Sequence, residues 1–106
     1  MFKTIITVGL NDKDQEIQII PTESAENTLA EILIENHGIF AFTMIHCKGV
    51  YKMSSTGNII KENSIRIEII EESARDYTEI INEIKTKLNQ ESVMIEKSEN
   101  ANVDFI

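Results

Sequence analysis

The only cysteine of the chain, Cys47, directly follows a histidine, His46, and these are two of the residue types that carry chemistry. A histidine can activate a nearby thiol as a nucleophile, and a Cys/His pair can also ligate zinc. Both residues lie in a segment rich in β-formers, where consecutive side chains point to opposite faces of the strand. The pair therefore cannot act jointly, and the pattern predicts Cys47 as a small packed hydrophobe and His46 as a partly exposed strand residue.

Carboxylates are the other candidates for catalysis, because a neighbouring pair can act as general acid and base. Glu71, Glu72 and Glu91 fall in polar connections with no apolar pocket evident beside them. No Ser/His/Asp order, GxSxG elbow, HExxH helix or glycine-rich phosphate loop occurs in the chain, and its four glycines are isolated. We therefore predict that the protein is not an enzyme, with no catalytic residue, no metal ligand and no cofactor.

Length and composition indicate one folded domain that spans residues 1–106. Apolar residues make up 42% and charged residues 26% of the sequence, which is ordinary for a globular protein. No apolar run approaches the length of a membrane span, the N-terminal segment does not resemble a signal peptide, and a single cysteine fits a reducing compartment. These features predict a cytoplasmic protein that does not bind membranes.

Periodicity divides the chain into strand, helix, strand, strand, helix and strand. The predicted strands are 2–10, 39–52, 58–71 and 92–97. The first helix is expected from Thr22, as its N-cap, to Gly38, and the second from Ser73 and Asp76 to Leu88. This order is that of the ferredoxin-like α+β fold, a four-stranded antiparallel sheet with both helices on one face.

Strand two is apolar on both of its sides, and it is expected to form an edge of the sheet. An exposed apolar edge is usually covered by another chain. We therefore predict a homo-oligomer, most simply a homodimer, with its interface at Ile39, Ala41, Ile45 and Cys47.

The segments "FTMIHCKGVYK" and "SIRIEIIEESARDYTEIINEIKTKL" resemble the second strand, third strand and second helix of the nitrogen-regulatory PII and PII-like family. The shared step is Gly49-Val50-Tyr51, where the PII pattern has a glycine and an aromatic residue entering its T-loop. The family's glycine-rich nucleotide loop is replaced by "NQESVM", and the loop from Met53 to Asn58 is shorter than a T-loop. The resemblance implies the ferredoxin-like fold and an oligomer, and we assign no ligand residues from it.

The formal charge of −8 disfavours direct binding of nucleic acid, since 18 acidic residues oppose 10 basic ones. Helix one carries acidic residues and no Lys or Arg, which favours a protein partner with a basic surface. The sequence thus predicts an acidic binding protein, such as a nucleic-acid-mimicking inhibitor from a phage or mobile element, anti-CRISPR proteins included. The alternative is a PII-like oligomeric regulatory module that senses a small metabolite. The predicted partner-binding residues are Glu23, Glu31, Glu35, Val50, Tyr51, Lys52 and Met53.

Overall fold

Two interleaved β-α-β units build the protein, whose computed structural model describes residues 1–106. The strands are β1 (Phe2–Gly9), β2 (Thr43–Lys52), β3 (Ile59–Glu71) and β4 (Met94–Ser98). The helices are α1 (Thr22–Glu31), which continues as a π-helical turn (Ile32–Asn36), and α2 (Thr78–Lys87). The strands form one antiparallel sheet in the order β2-β3-β1-β4. The predicted ferredoxin-like α+β fold is confirmed.

The core lies between one face of the sheet and the two helices. Alternate side chains of the central strands are fully buried there, Ile6 and Val8 from β1 and Ile67 from β3 among them. Because side chains alternate along a strand, the residues between them point to the opposite, open face of the sheet. Strand register places Gly9 of β1 and Glu62 of β3 on that open face.

Helix α1 differs from the sequence prediction at its N-cap, whereas the predicted left-handed Gly38 after its end is confirmed. Pro21 occupies the N-cap position, so Thr22 is the first helical residue and makes no capping bond. The last turn widens into a π-helix before Gly38, whose φ of +66° is the left-handed conformation expected at a helix C-terminus.

No helix of the protein is long and apolar enough to cross a membrane, and the cytoplasmic location stays a prediction.

Strand β2 begins at Thr43, four residues later than predicted, and this corrects one of the interface residues. The backbone N–H of Ile39 donates to the carbonyl of Leu33 at 2.8 Å, and its side chain is 4% exposed within the core. The prediction of Ile39 as an interface residue is therefore wrong, because the end of α1 turns this side chain inward. Ala41 is exposed before the strand, Ile45 is exposed and Cys47 is half-buried.

Helix α2 begins at Thr78, later than the predicted start at Ser73 and Asp76, with Tyr77 at the N-cap position and no side-chain cap. Asp76 instead accepts bonds from Thr78, two residues further on, and this gives a pH-dependent prediction. The hydroxyl and backbone N–H of Thr78 donate to Asp76 Oδ1 at 2.7 and 2.9 Å, and they hold the pKa of that carboxyl below its ordinary value of 3.8. The stabilisation is therefore complete above pH 3.8 and is lost as the pH falls through the lower pKa of the folded state. We expect Asp76→Ala to lower the thermal midpoint at pH 7, and the difference from wild type to narrow at pH 3. Circular dichroism melts at both pH values measure the difference, and an equal difference at both would contradict a stabilising role of the Asp76 carboxylate.

Candidate functional site

A cleft of about 320 Å³ lies on the open face of the sheet, at the end where β1 leaves it. This open-face cleft is formed by three separate parts of the chain: the end of β1 with the loop after it, the β2–β3 hairpin, and the loop that precedes β4. Its volume is at the lower end of the range for small-molecule sites. No group of three or more His, Cys, Asp or Glu side chains in the protein is arranged to hold a metal ion.

The carboxylate of Glu62 is held at the floor of the cleft. It lies against the backbone of Gly9, where a Cβ atom would come within 2.4 Å of Glu62 Oε1. The backbone N–H of Asn11 donates to Glu62 Oε2 at 3.0 Å. A charge-assisted bond of this kind fixes the position of a carboxylate more firmly than a neutral bond does.

Polar side chains lock the two loops of the cleft together. Gln90 Nε2 donates to the carbonyl of Asn11 at 2.9 Å and to that of Leu88 at 3.2 Å. Asp12 accepts bonds from Asn89 and from backbone N–H groups of its own loop; these bonds, that from Asn89 foremost, lower the pKa of the Asp12 carboxyl. The carboxylate of Asp12 therefore serves the loop structure.

The charges that line the cleft are mostly negative. Four carboxylates, those of Asp12, Glu16, Glu62 and Glu91, face one ammonium group, that of Lys13, which leaves a formal charge of −3. The ring of Tyr51, which is 45% exposed, adds an aromatic surface at the rim. Carboxylates and an aromatic ring both attract organic cations. The arrangement suits a small cationic molecule.

Of the predicted partner-binding residues, the structure brings only Tyr51 and Met53 into the open-face cleft. Val50 and Lys52 are exposed on the other side of β2. The acidic residues Glu23, Glu31 and Glu35 are exposed on α1 and its π-helical turn, within the layer that covers the opposite face of the sheet. Their role in binding a basic partner stays a prediction.

His46 and Cys47 point to opposite faces of β2, so they form no dyad. His46 is exposed and its ring pairs with Glu26 of α1, while Cys47 Sγ lies 3.6 Å from the carbonyl oxygen of Ser64. These contacts give both residues a structural role in strand β2.

Sequence reasoning missed Glu62 and dismissed Glu91. The signal for Glu62 was the alternation along strand three, which puts it on the face opposite to Ile65 and its buried neighbours. That signal became informative only with the sheet order, which shows Gly9 beside Glu62. Glu91 was set aside for want of a pocket, because the residues that form the pocket are distant in sequence.

Comparisons with known proteins found similar folds but no family. No family model matches the sequence, and a search of curated proteins found no match either. Among solved structures, a phage SAM lyase in complex with S-methyl-5'-thioadenosine is 26% identical, with a TM-score of 0.61, over 92% of this chain and 80% of that one. A phage SAM lyase in an apo state is 27% identical, with a TM-score of 0.59, over 92% of this chain and 78% of that one.

More distant structures share the fold. A DUF3240 family protein from Shewanella baltica OS155 is 8% identical, with a TM-score of 0.55, over 99% of this chain and 97% of that one. A GlnK–ATP complex from B. subtilis is 13% identical, with a TM-score of 0.47, over 92% and 80%. The DUF3240 structure, with the higher TM-score, confirms the predicted resemblance as a weak likeness of fold.

The prediction that the protein is not an enzyme is wrong. The phage SAM lyase is an enzyme with the same fold, and its 26% identity over most of both chains points to enzymatic activity here. The absence of a catalytic motif misled the sequence argument, because the chemical groups of the open-face cleft come from three segments that no local motif spans.

Proposed function

We propose that the protein is a lyase that binds S-adenosylmethionine (SAM) in the open-face cleft and releases S-methyl-5'-thioadenosine. The observation that carries this proposal is the 26% identity with the phage SAM lyase over 92% of the chain. The charge of the cleft supports it independently, since SAM is a small cation.

The charged groups of the cleft suit two of the charged groups of SAM. The substrate carries a positive sulfonium, a positive ammonium and a negative carboxylate, so its net charge is +1. The fixed carboxylate of Glu62 and the ring of Tyr51 suit the sulfonium, which is a soft, poorly hydrated cation. Lys13 is the only basic side chain that lines the cleft, and it suits the substrate carboxylate.

The product S-methyl-5'-thioadenosine identifies the bond that breaks. It keeps the methyl group, the sulfur and the adenosyl group, so the bond between sulfur and Cγ of the methionine part is broken and its electron pair stays on sulfur. A lyase adds no water, and the proposed nucleophile is the carboxylate of the substrate itself, whose oxygen forms a new bond to Cγ. The second product is then homoserine lactone, and no proton is gained or lost.

The protein assists this ring closure mainly by holding the substrate folded. An internal nucleophile held close to its carbon gains a large rate advantage from pre-arranged geometry. Glu62 and Lys13 bind the two charged parts of the substrate that must approach each other. The sulfur product is neutral, so it loses its attraction to the acidic cleft once the bond has broken.

Product analysis in H₂¹⁸O tests the proposal. The purified protein is incubated with SAM, and the products are identified by mass spectrometry. We expect S-methyl-5'-thioadenosine and unlabelled homoserine lactone in equal amounts. Homoserine with ¹⁸O in its hydroxyl group would show hydrolysis instead, unsaturated 2-aminobut-3-enoate would show elimination by a base, and unchanged SAM would contradict the function itself.

We also propose that the protein is a homo-oligomer, as its exposed apolar residues suggest. Ile45 and Val50 of β2, Ile59 of β3 and Met94 of β4 are all large and exposed. Ile45 and Met94 lie on the open face, and Val50 and Ile59 lie on the other face of the sheet. Isolated exposed residues of this kind are common, but exposed apolar side chains on both faces favour cover by a second copy. Light scattering at micromolar concentration should give at least twice the chain mass of 12.1 kDa. A monomer would contradict this assembly, and the lyase proposal does not depend on it.

A further inference from the structure

We infer that Gly9, Asn11 and Gln90 form a seat that sets the position of the Glu62 carboxylate, and that Gly9 is needed there for the space it leaves. The inference rests on the proposed function in one respect, that Glu62 faces the substrate. Gly9 and Gln90 are positioning residues in this account, since they act on the substrate through Glu62.

Gly9 fits at this position because it has no side chain. It lies in the regular strand β1, paired with Ser64 of β3, so its conformation is one that other residues adopt freely. A Cβ atom at Gly9 would lie 2.4, 2.7 and 2.8 Å from the Oε1, Cδ and Oε2 atoms of Glu62. These atoms are the end of a flexible side chain, so Gly9→Ala would displace the carboxylate and leave the strand in place.

Hydrogen bonds to the carboxylate and to the neighbouring backbone complete the seat. Asn11 N–H donates to Glu62 Oε2 at 3.0 Å, and Leu10 N–H donates to the carbonyl of Asn63 at 2.9 Å. Gln90 is only 9% exposed, and its side chain donates to the carbonyl of Asn11. The end of β1 is therefore fixed both to β3 next to Glu62 and to the loop before β4.

The chain offers a matched control in Gly49. This residue is the β2 partner of Glu62 and lies on the same face of the sheet. A Cβ atom there would lie 3.2 Å from Ser64 Oγ and 3.4 Å from Glu62 Cγ, and 3.7 Å from Oε1. Gly49→Ala thus adds the same methyl group on the other side of Glu62. Ser64 Oγ must shift by a few tenths of an ångström to admit it, whereas the Glu62 carboxylate is only in ordinary van der Waals contact, so we expect the carboxylate to stay in the seat.

The test compares Gly9→Ala with Gly49→Ala by two readouts. The ¹³C chemical shift of the Glu62 carboxyl carbon, assigned by its loss in Glu62→Gln, reports the seat without any substrate. We expect this resonance to move in Gly9→Ala and in Gln90→Ala and to stay in Gly49→Ala, with circular dichroism melts showing all variants folded. An unchanged resonance in Gly9→Ala would overturn the seat.

The second readout is the rate of SAM cleavage. A displacement of about 1 Å at a group that holds the substrate in its reactive geometry can cost about 100-fold in rate, and we expect a loss of that size in kcat for Gly9→Ala. Gly49→Ala should stay within about twofold of wild type. If the Glu62 resonance moves in Gly9→Ala but the variant keeps full activity, the positioning role is overturned. If the wild-type protein leaves SAM intact, the proposed function is refuted, and the resonance alone then decides whether the seat exists.

Discussion

Glu62→Gln is expected to lower kcat/KM for SAM cleavage by about 100-fold, which corresponds to about 3 kcal/mol. The amide has the shape of the carboxylate, and its oxygen can still accept the bond from the N–H of Asn11. It carries no charge, so the attraction to the sulfonium is lost while the fold is kept. Initial rates of S-methyl-5'-thioadenosine release measure the effect.

Glu68→Gln is the matched control for this substitution. Glu68 lies on the same strand and the same face as Glu62 and is also half-buried, but it lies outside the cleft and near Arg66. Its substitution should leave kcat/KM within about twofold of wild type. Equal losses in both variants would show that any lost charge on this face is harmful, and full activity of Glu62→Gln would remove Glu62 from the mechanism.

The second large effect concerns the charge of the ligand. S-adenosylhomocysteine has a neutral thioether sulfur, whereas sinefungin carries an ammonium group in place of the sulfonium. Both are unreactive, so their inhibition constants compare binding alone. We expect sinefungin to bind about 30-fold more tightly, since a charge-assisted contact in a partly desolvated site contributes about 2 kcal/mol.

The ratio of the two inhibition constants, measured again in Glu62→Gln, tests whether Glu62 causes the difference in affinity. If Glu62 provides most of the attraction, the ratio should fall to about threefold, which corresponds to a loss of roughly 1.4 kcal/mol. Equal inhibition constants for the two analogues in the wild-type protein would contradict recognition of the cation by the cleft.

The element order was predictable from sequence because most of it follows from local periodicity. Alternation of Ile65, Ile67 and Ile69 marked strand three, and the apolar stripe of helix two marked its buried side. The start of β2 was not predictable in this way. Ile39 continues an apolar run that suits a strand, but its backbone bond to Leu33 turns it into the core.

The site was predictable only where one segment formed it. Tyr51 followed from its place at the rim of a hairpin, which is a local feature. The seat of Glu62 depends on Gly9, which is 53 positions away in the sequence, and on a side chain from the loop before β4. Such a site becomes visible only when the strand register is known.

An amide NMR titration with sinefungin is the sharpest test of the proposed function, because it shows whether and where this chain binds an unreactive cationic analogue of the substrate. We expect the largest shift changes at Gly9, Asn11, Tyr51 and Glu62, which lie around the open-face cleft. A second hollow of about 620 Å³, between the start of α1 and β2 near His46, should be unaffected. Shift changes centred on that hollow, or none at millimolar ligand, would contradict the account.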